Sequence, residues 1–318
     1  VTSSSAYESI INGMRAGRVA LLDGATGTEL ERRGAEMDPH SWCGAASKDN
    51  AALLTEIHRD YIDAGARIIT ANTFASSRLM LSGAGLGDRV AEINTIAVDA
   101  ALAARDGHAM ASEVVVAGSL SHMVPVSEGT DRFDPNAVPG EEELADAFGE
   151  LAGVLSAAGA ELILLEMMYE PTRAAIALRA ALDTGLPVWF DMSARRADDG
   201  RVVAFHPFED VALSDLLSMI PDSGVDAVGV MHTQSQVIGN AIDEIRAVTD
   251  LPIAAYPDSG FFKMPSWQFH EVISPADLEE YFVDWIGRGA TALGGCCGLT
   301  IAHVEAAARA RDRAQSTE

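Results

Sequence analysis

The chain has 318 residues, a formal net charge of −25, and 48% hydrophobic but only 6% aromatic residues. That acidity argues against nucleic acid and anionic membrane surfaces as partners, because both are held through basic patches. No run of roughly 18 apolar residues occurs, so no transmembrane helix is expected.

Three cysteines, Cys43, Cys296 and Cys297, are too few for a disulfide framework and fit a reducing, cytoplasmic compartment. Val1 to Tyr7 carry no basic segment followed by an apolar core, so no signal peptide is expected. Residues 1–10 are expected to form a loose N-terminal extension.

Taken in order, eight apolar runs of strand length punctuate the sequence: Val19–Leu22, Ala66–Ala71, Val114–Leu120, Leu162–Met167, Pro187–Met192, Ala227–Met231, Pro252–Tyr256 and Ala290–Leu293. They are continuous rather than alternating, as strands buried on both faces are. Helical patterns lie between them. Leu54, Ile57, Tyr61 and Ile62 form the first, ended by Gly65. Val90, Ile93, Ala97 and Ala101 form the second. Leu144, Phe148, Leu151 and Leu155 form the third, behind Glu141-Glu142-Glu143, whose charge suits a helix N-terminus. Pro171 opens the fourth, which stops at Gly185. Later helices are predicted over Leu213–Ile220, Ile238–Val248, Leu278–Trp285 and Ile301–Ala308. Strands and helices in this alternation predict an α/β fold, with residues 1–318 as a single (β/α)8 TIM barrel domain. The rival, a doubly wound open sheet, lacks its glycine fingerprint here.

In such a barrel the chemistry gathers where strands end. The strand ends here are Asp23 and Gly24, Asn72 and Thr73, Ser119 and Ser121, Glu166, Asp191 and Ser193, His232, Asp258, and Cys296 with Cys297. The connections Asp23–Lys48, Ser121–Gly140 and Asp258–Ser274 are long, and long loops on one face carry function. The vicinal pair in Gly294-Gly295-Cys296-Cys297-Gly298 has two readings: inert buried thiols in a turn, or two thiolates on one metal. His232 is either a satisfied structural histidine or the third ligand; two thiolates and one imidazole make a catalytic zinc site with one place open.

Asp23 before Gly24 is explained by a turn as well as by a site. Glu166 closes an entirely apolar strand, where a carboxylate is costly unless it meets a partner or ligand. Asn72 and Thr73 are a turn, or donors at the barrel mouth. Phe261, Phe262, Trp267 and Phe269 are loop packing, or a cage for an alkylated cation. His122, His206, His270 and Cys43 are weaker candidates.

Leu21-Leu-Asp-Gly-Ala-Thr-Gly-Thr-Glu-Leu30, Asn72-Thr-Phe, Leu162-Ile-Leu-Leu-Glu166, Tyr256-Pro-Asp-Ser-Gly260 and Gly294-Gly-Cys-Cys-Gly298 resemble, in this order, the motifs of the homocysteine S-methyltransferase family. The resemblance runs from about Val19 to His303. It implies a barrel with zinc at the strand ends that moves a methyl group from an onium or methylfolate donor to a thiolate. It also implies that Cys296 and Cys297 are metal ligands, that Glu166 holds the amino group of an amino-acid thiol, and that Asp23 and Gly24 lie near the substrate.

The chain departs from the family pattern in three places. His232, after Met231, stands where the third ligand cysteine is expected. Asp191-Met192-Ser193 replaces a Ser-Phe type sequence, and Asp258 replaces an asparagine. Exchanging a thiolate for an imidazole removes one negative charge from the metal, which strengthens the Lewis acid and leaves a bound thiolate less nucleophilic.

The expected activity is therefore a zinc-dependent transfer of methyl from a sulfonium or ammonium donor to a thiol such as homocysteine, in methionine biosynthesis. Glu166 and Asp23 are its catalytic residues. Asp23, Gly24, Asn72, Thr73, Glu166, Ser193 and Asp258 form the substrate site, and His232, Cys296 and Cys297 the metal site. Two alternatives stand beside it: an altered-acceptor methyltransferase or demethylase passing methyl to another thiol or a corrinoid protein, and a metal-dependent binding protein without catalysis. Partners are small molecules, and an oligomer is compatible with the sequence.

Overall fold

The apolar runs pair side by side in parallel and close into a ring. The computed structural model describes residues 5–316. Its barrel strands are β1 (Ala20–Leu21), β2 (Ile68–Ala71), β3 (Val115–Ser121), β4 (Leu162–Met168), β5 (Val188–Met192), β6 (Val225–Gln234), β7 (Ile253–Asp258) and β8 (Ala290–Leu293). They pair in the order β1-β8-β7-β6-β5-β4-β3-β2, and a parallel bridge from Leu22 to Ile68 joins the two ends. The expected (β/α)8 barrel is present, with helices following the strands. No helix among the described residues is long and apolar enough to cross a membrane.

Side chains alternate across each strand. In β5, Phe190 and Met192 pack outward under the helices, whereas Trp189 joins the barrel interior. In β4, Ile163 and Leu165 face outward and Leu162 and Leu164 inward. Both faces are apolar through most of each strand, which is why the runs read as continuous.

The inward series changes character toward the C-terminal ends. Leu164 is followed by Glu166, Trp189 by Asp191, Ala254 by Tyr256, and Ala117 by Ser119. A polar tier thus sits on an apolar floor, and a carboxylate in it is removed from water by the barrel wall.

The structure corrects the expected loose extension over residues 1–10. Ala6–Arg15 is a helix, opened by a capping box between Ser5 and Glu8. Its stripe of Tyr7, Ile11 and Met14 packs into the barrel interior from below. There the Tyr7 hydroxyl donates to Asp226 (2.8 Å) and accepts from Trp189 Nε1 (3.1 Å). Residues 1–4 lie outside the described residues.

Further short elements fall in the connections: helices Thr26–Arg32 and Arg78–Gly83, and two antiparallel hairpins, Ala194–Arg196 with Val202–Ala204 and Phe261–Lys263 with Ser266–Gln268. The helix expected over Leu213–Ile220 is shorter, Leu213–Leu217.

Candidate metal and substrate site

The cysteine loop is fixed by backbone bonds to its neighbours. Gly295 N–H donates to Asp23 O (3.0 Å), Cys296 N–H to Pro257 O (2.8 Å), and Ser259 N–H to Cys297 O (2.9 Å). Two of its glycines are required by space. A Cβ on Gly294 would lie 2.8 Å from Asp23 O. One on Gly298, at φ +82°, would lie 1.8 Å from Ser259 O. The loop therefore rests directly on the ends of β1 and β7.

His232 meets the cysteines from β6, at φ 42°, a left-handed conformation that a non-glycine residue adopts only under constraint. A register irregularity in β6 between Met231 and Gln234 accompanies it. The same device recurs in β4, where Met167 takes φ 61° and the register shifts between Leu165 and Met168. Both bulges re-aim the strand end, one at His232 and one beside Glu166.

His232 Nδ1 lies 3.7 Å from Cys296 Sγ, and the two sulfurs are 3.8 Å apart. The three donor atoms all lie within 4.8 Å of one another. A tetrahedral ion with bonds of about 2.3 Å to sulfur and about 2.0–2.1 Å to nitrogen has S···S edges of about 3.8 Å and N···S edges of about 3.6 Å. The S···S spacing and one N···S spacing match those edges, and the remaining N···S pair lies within 4.8 Å, so this donor set could hold a metal ion.

The electrostatics keep protons on His232 and Cys297 that a bound metal would displace. The hydrogen bond between the two sulfurs draws the Cys296 thiol well below its ordinary pKa, and His232 adds to this against the effect of burial. Cys297 is correspondingly pushed well above. Burial alone would lower His232, but the charges of Asp258, Cys296 and Glu166 outweigh it and hold the imidazole at about 9.

The site opens into a cavity of about 530 Å³. Of the sequence-predicted residues, Asp23, Gly24, Asn72, Glu166, His232, Asp258, Cys296 and Cys297 line it; Thr73 and Ser193 do not. Thr73 Oγ1 donates to Ser119 O (2.8 Å), and Ser193 Oγ packs on Met231 Sδ (3.4 Å), both fully buried. Asn72 spends its amide donors on Cys43 O (2.8 Å) and Ser47 Oγ (3.0 Å). Asp23 accepts from Thr70 N–H (2.7 Å) and Thr70 Oγ1 (3.0 Å).

Three carboxyl groups line the cavity and a fourth, Asp191, lies behind its wall, each raised chiefly by burial: Asp258 to about 6, Asp23 and Asp191 to about 7, and Glu166 to about 8. Glu166 is also raised by the Cys296 charge, and accepts from Ser119 Oγ. Asp258 Oδ1 is buried without a partner among the described residues. Among the described residues no lysine or arginine hydrogen-bonds to any of the four.

An aromatic band, read in the sequence only at Phe262 and Trp267, forms another part of the wall. Trp42 meets Phe74 (6.4 Å between ring centroids) and Phe262 (5.2 Å). Phe262 stacks on Trp267 (6.3 Å), and Trp267 meets His232 (5.7 Å). Phe205 lies edge-on to His232 (5.9 Å) and near Tyr169 (6.2 Å). The loop aromatics Phe262 and Trp267 are thus part of the site, and so is Cys43. Trp42, Phe74, Tyr169 and Phe205 come from four different connections, and nothing in their local sequence ties them together.

The family model "Homocysteine S-methyltransferase" matches residues 20–311. The chain is 28% identical to homocysteine S-methyltransferase 2 of Zea mays, covering 90% of this chain and 87% of that one. It is 27% identical to homocysteine S-methyltransferase of Escherichia coli (strain K12), covering 91% and 94%. It is 26% identical to a selenocysteine Se-methyltransferase of Brassica oleracea var. italica, covering 91% and 88%. The metallated form of the homocysteine methyltransferase MmuM from Escherichia coli has the same fold, with a TM-score of 0.73 at 23% identity over 92% of this chain and 96% of that one. A barrel of this topology whose sequence matches the family model from β1 into the last helix is an S-methyltransferase, a member of the homocysteine S-methyltransferase family.

Proposed function

We propose that the chain transfers a methyl group from a sulfonium or ammonium donor to the thiol of homocysteine, with His232, Cys296 and Cys297 holding a zinc ion. The observation that carries the proposal is the three-donor cluster sharing one cavity with Glu166 and an aromatic wall. Zinc bound there would act as a Lewis acid that keeps an acceptor thiol ionised at neutral pH, against an ordinary thiol pKa of about 8.5.

Glu166 takes the acceptor's ammonium by a charge-assisted hydrogen bond. Burial and the Cys296 charge raise its pKa, and an arriving cation stabilises the carboxylate. Asp23, held by Thr70, and Gly24 shape the end of the acceptor pocket. Asn72 braces the wall through Cys43 and Ser47. Asp258 adds negative charge beside His232, and Thr73 and Ser193 support the wall from behind.

The donor's cationic centre meets the rings of Trp42, Phe262 and Trp267, whose faces attract alkylated cations. The acceptor thiolate attacks the methyl carbon in line. A sulfur–carbon bond forms while the donor's bond to that carbon breaks, and the electron pair stays on the donor. One negative and one positive charge are annihilated, so a cavity that excludes water favours the step.

The test is transfer of labelled methyl from S-methylmethionine, and separately from betaine, to homocysteine by the metal-loaded protein. Labelled methionine supports the proposal, and its absence with both donors removes it. His232 in place of a thiolate favours a second outcome, in which another thiol or a corrinoid protein accepts methyl and homocysteine is inert; the same assay with those acceptors reads it.

A further inference from the structure

Behind the cavity wall, β5, β6 and β7 are built around one carboxylate. Asp191 follows Trp189 on the inward face of β5 and is fully buried. The Tyr256 hydroxyl, from β7, donates to Asp191 Oδ2 at 2.7 Å. The other oxygen, Oδ1, is buried with no partner among the described residues. It is accommodated only because β6 has a glycine opposite: a Cβ on Gly229 would lie 2.1 Å from it. A buried carboxyl with an orphan oxygen is costly, and an apolar pair would fill the same space without that cost.

The hydrogen bond has a direction, and the direction matters at the cavity. A phenol has one proton and acceptor lone pairs. With the proton given to Asp191, the Tyr256 oxygen can only accept, and no group of the described residues donates to it. Tyr256 lines the cavity together with Glu166. Asp191 does not line the cavity.

We propose that Asp191 is a positioning residue that, by taking the Tyr256 proton, makes the Tyr256 oxygen a second acceptor beside Glu166 for the ammonium of the amino-acid thiol. The inference rests on the assignment of Glu166 to that ammonium. It makes the pair Asp191–Tyr256 a determinant of specificity for α-amino thiols over thiols without an amino group. Removing Asp191 frees the phenol proton to turn toward Glu166, where it occupies the carboxylate that the ammonium needs.

The test is calorimetric titration of the metal-loaded protein with homocysteine and with 4-mercaptobutanoate, which differs only in lacking the amino group. The wild type is expected to prefer homocysteine. Tyr256→Phe and Asp191→Leu should each lose about tenfold of that preference, the scale of one hydrogen bond to a charged group, with affinity for 4-mercaptobutanoate unchanged. Asp191→Asn, whose amide oxygen can still accept the phenol proton, should keep it. If the leucine variant does not fold, Tyr256→Phe decides alone, since it preserves the ring.

Full preference in Tyr256→Phe, or equal weakening of both thiols, overturns the inference. So does loss of preference in Asp191→Asn, which would make charge rather than bond direction the cause. Glu166→Gln separates the two assignments. If it abolishes the preference while Tyr256→Phe keeps it, the Glu166 assignment stands and only this inference falls. No preference in the wild type, or none lost in Glu166→Gln, brings down both.

Discussion

Replacing His232 tests the proposed metal site most directly. Its Nδ1 stands 3.7 Å from Cys296 Sγ in a cluster with no fourth protein donor of histidine, cysteine or carboxylate type among the described residues. Structural zinc sites with four protein ligands bind with about 10–16 kcal/mol, or roughly 3 kcal/mol for each ligand. His232→Ala should therefore weaken metal binding by about two orders of magnitude. His232→Cys restores a third donor and should retain the metal, now with one more negative charge. The backbone sets a second signature. At φ 42°, glycine relieves strain of about 1–3 kcal/mol, so His232→Gly should lose the metal and yet be no less stable as the apoprotein. The assay is elemental analysis after dialysis against graded chelator, with thermal melts of the apoproteins. Full metal retained by the alanine variant at a chelator concentration that strips no wild-type protein would remove His232 from the ligand set and refute the reasoning.

Three further outcomes are expected. Asp191, raised to about 7 by burial, favours the fold in its protonated form, so its contribution is complete near pH 4 and is lost as pH rises through 7, at about 1.4 kcal/mol per unit. Asp191→Asn should flatten the fall in stability between about pH 4 and pH 7 seen by urea denaturation, and identical slopes would show that the carboxyl does not carry that cost. Gly298→Ala meets both a positive φ and Ser259 O, and should destabilise by at least about 2 kcal/mol and lower metal occupancy together; a melt and a metal assay read both. Tyr7→Phe leaves the buried Trp189 N–H without its acceptor and should cost about 1–3 kcal/mol in denaturant unfolding while methyl transfer at low temperature is unaffected.

The barrel was legible in the sequence because strands buried on both faces must be apolar throughout. Eight such runs separated by helical periodicity leave little topological choice. The candidate site residues were legible for a related reason. A strand end is where the chain passes from an apolar wall to the mouth, so Glu166, His232 and the Cys296–Cys297 pair stand out against the runs they close. The helix Ala6–Arg15 escaped because its stripe of Tyr7, Ile11 and Met14 is short and lies in a polar context, and only the open lower end of the barrel gives it something to cover.

Tertiary structure decided what depends on distance between segments. Thr73 and Ser193 sit next to site residues in the chain, yet strand alternation and the turn of the loop take them behind the wall. Trp42, Phe74, Phe205 and Tyr169 are far apart in the chain, and only ring closure brings them to one wall. Asp191 reads as a strand-end residue; the register of three strands turns it into a buried partner of Tyr256, opposite the one position where a glycine leaves it room. Local sequence fixes which groups are costly to bury. Only the packed barrel determines which of them share a cavity and which way their protons point.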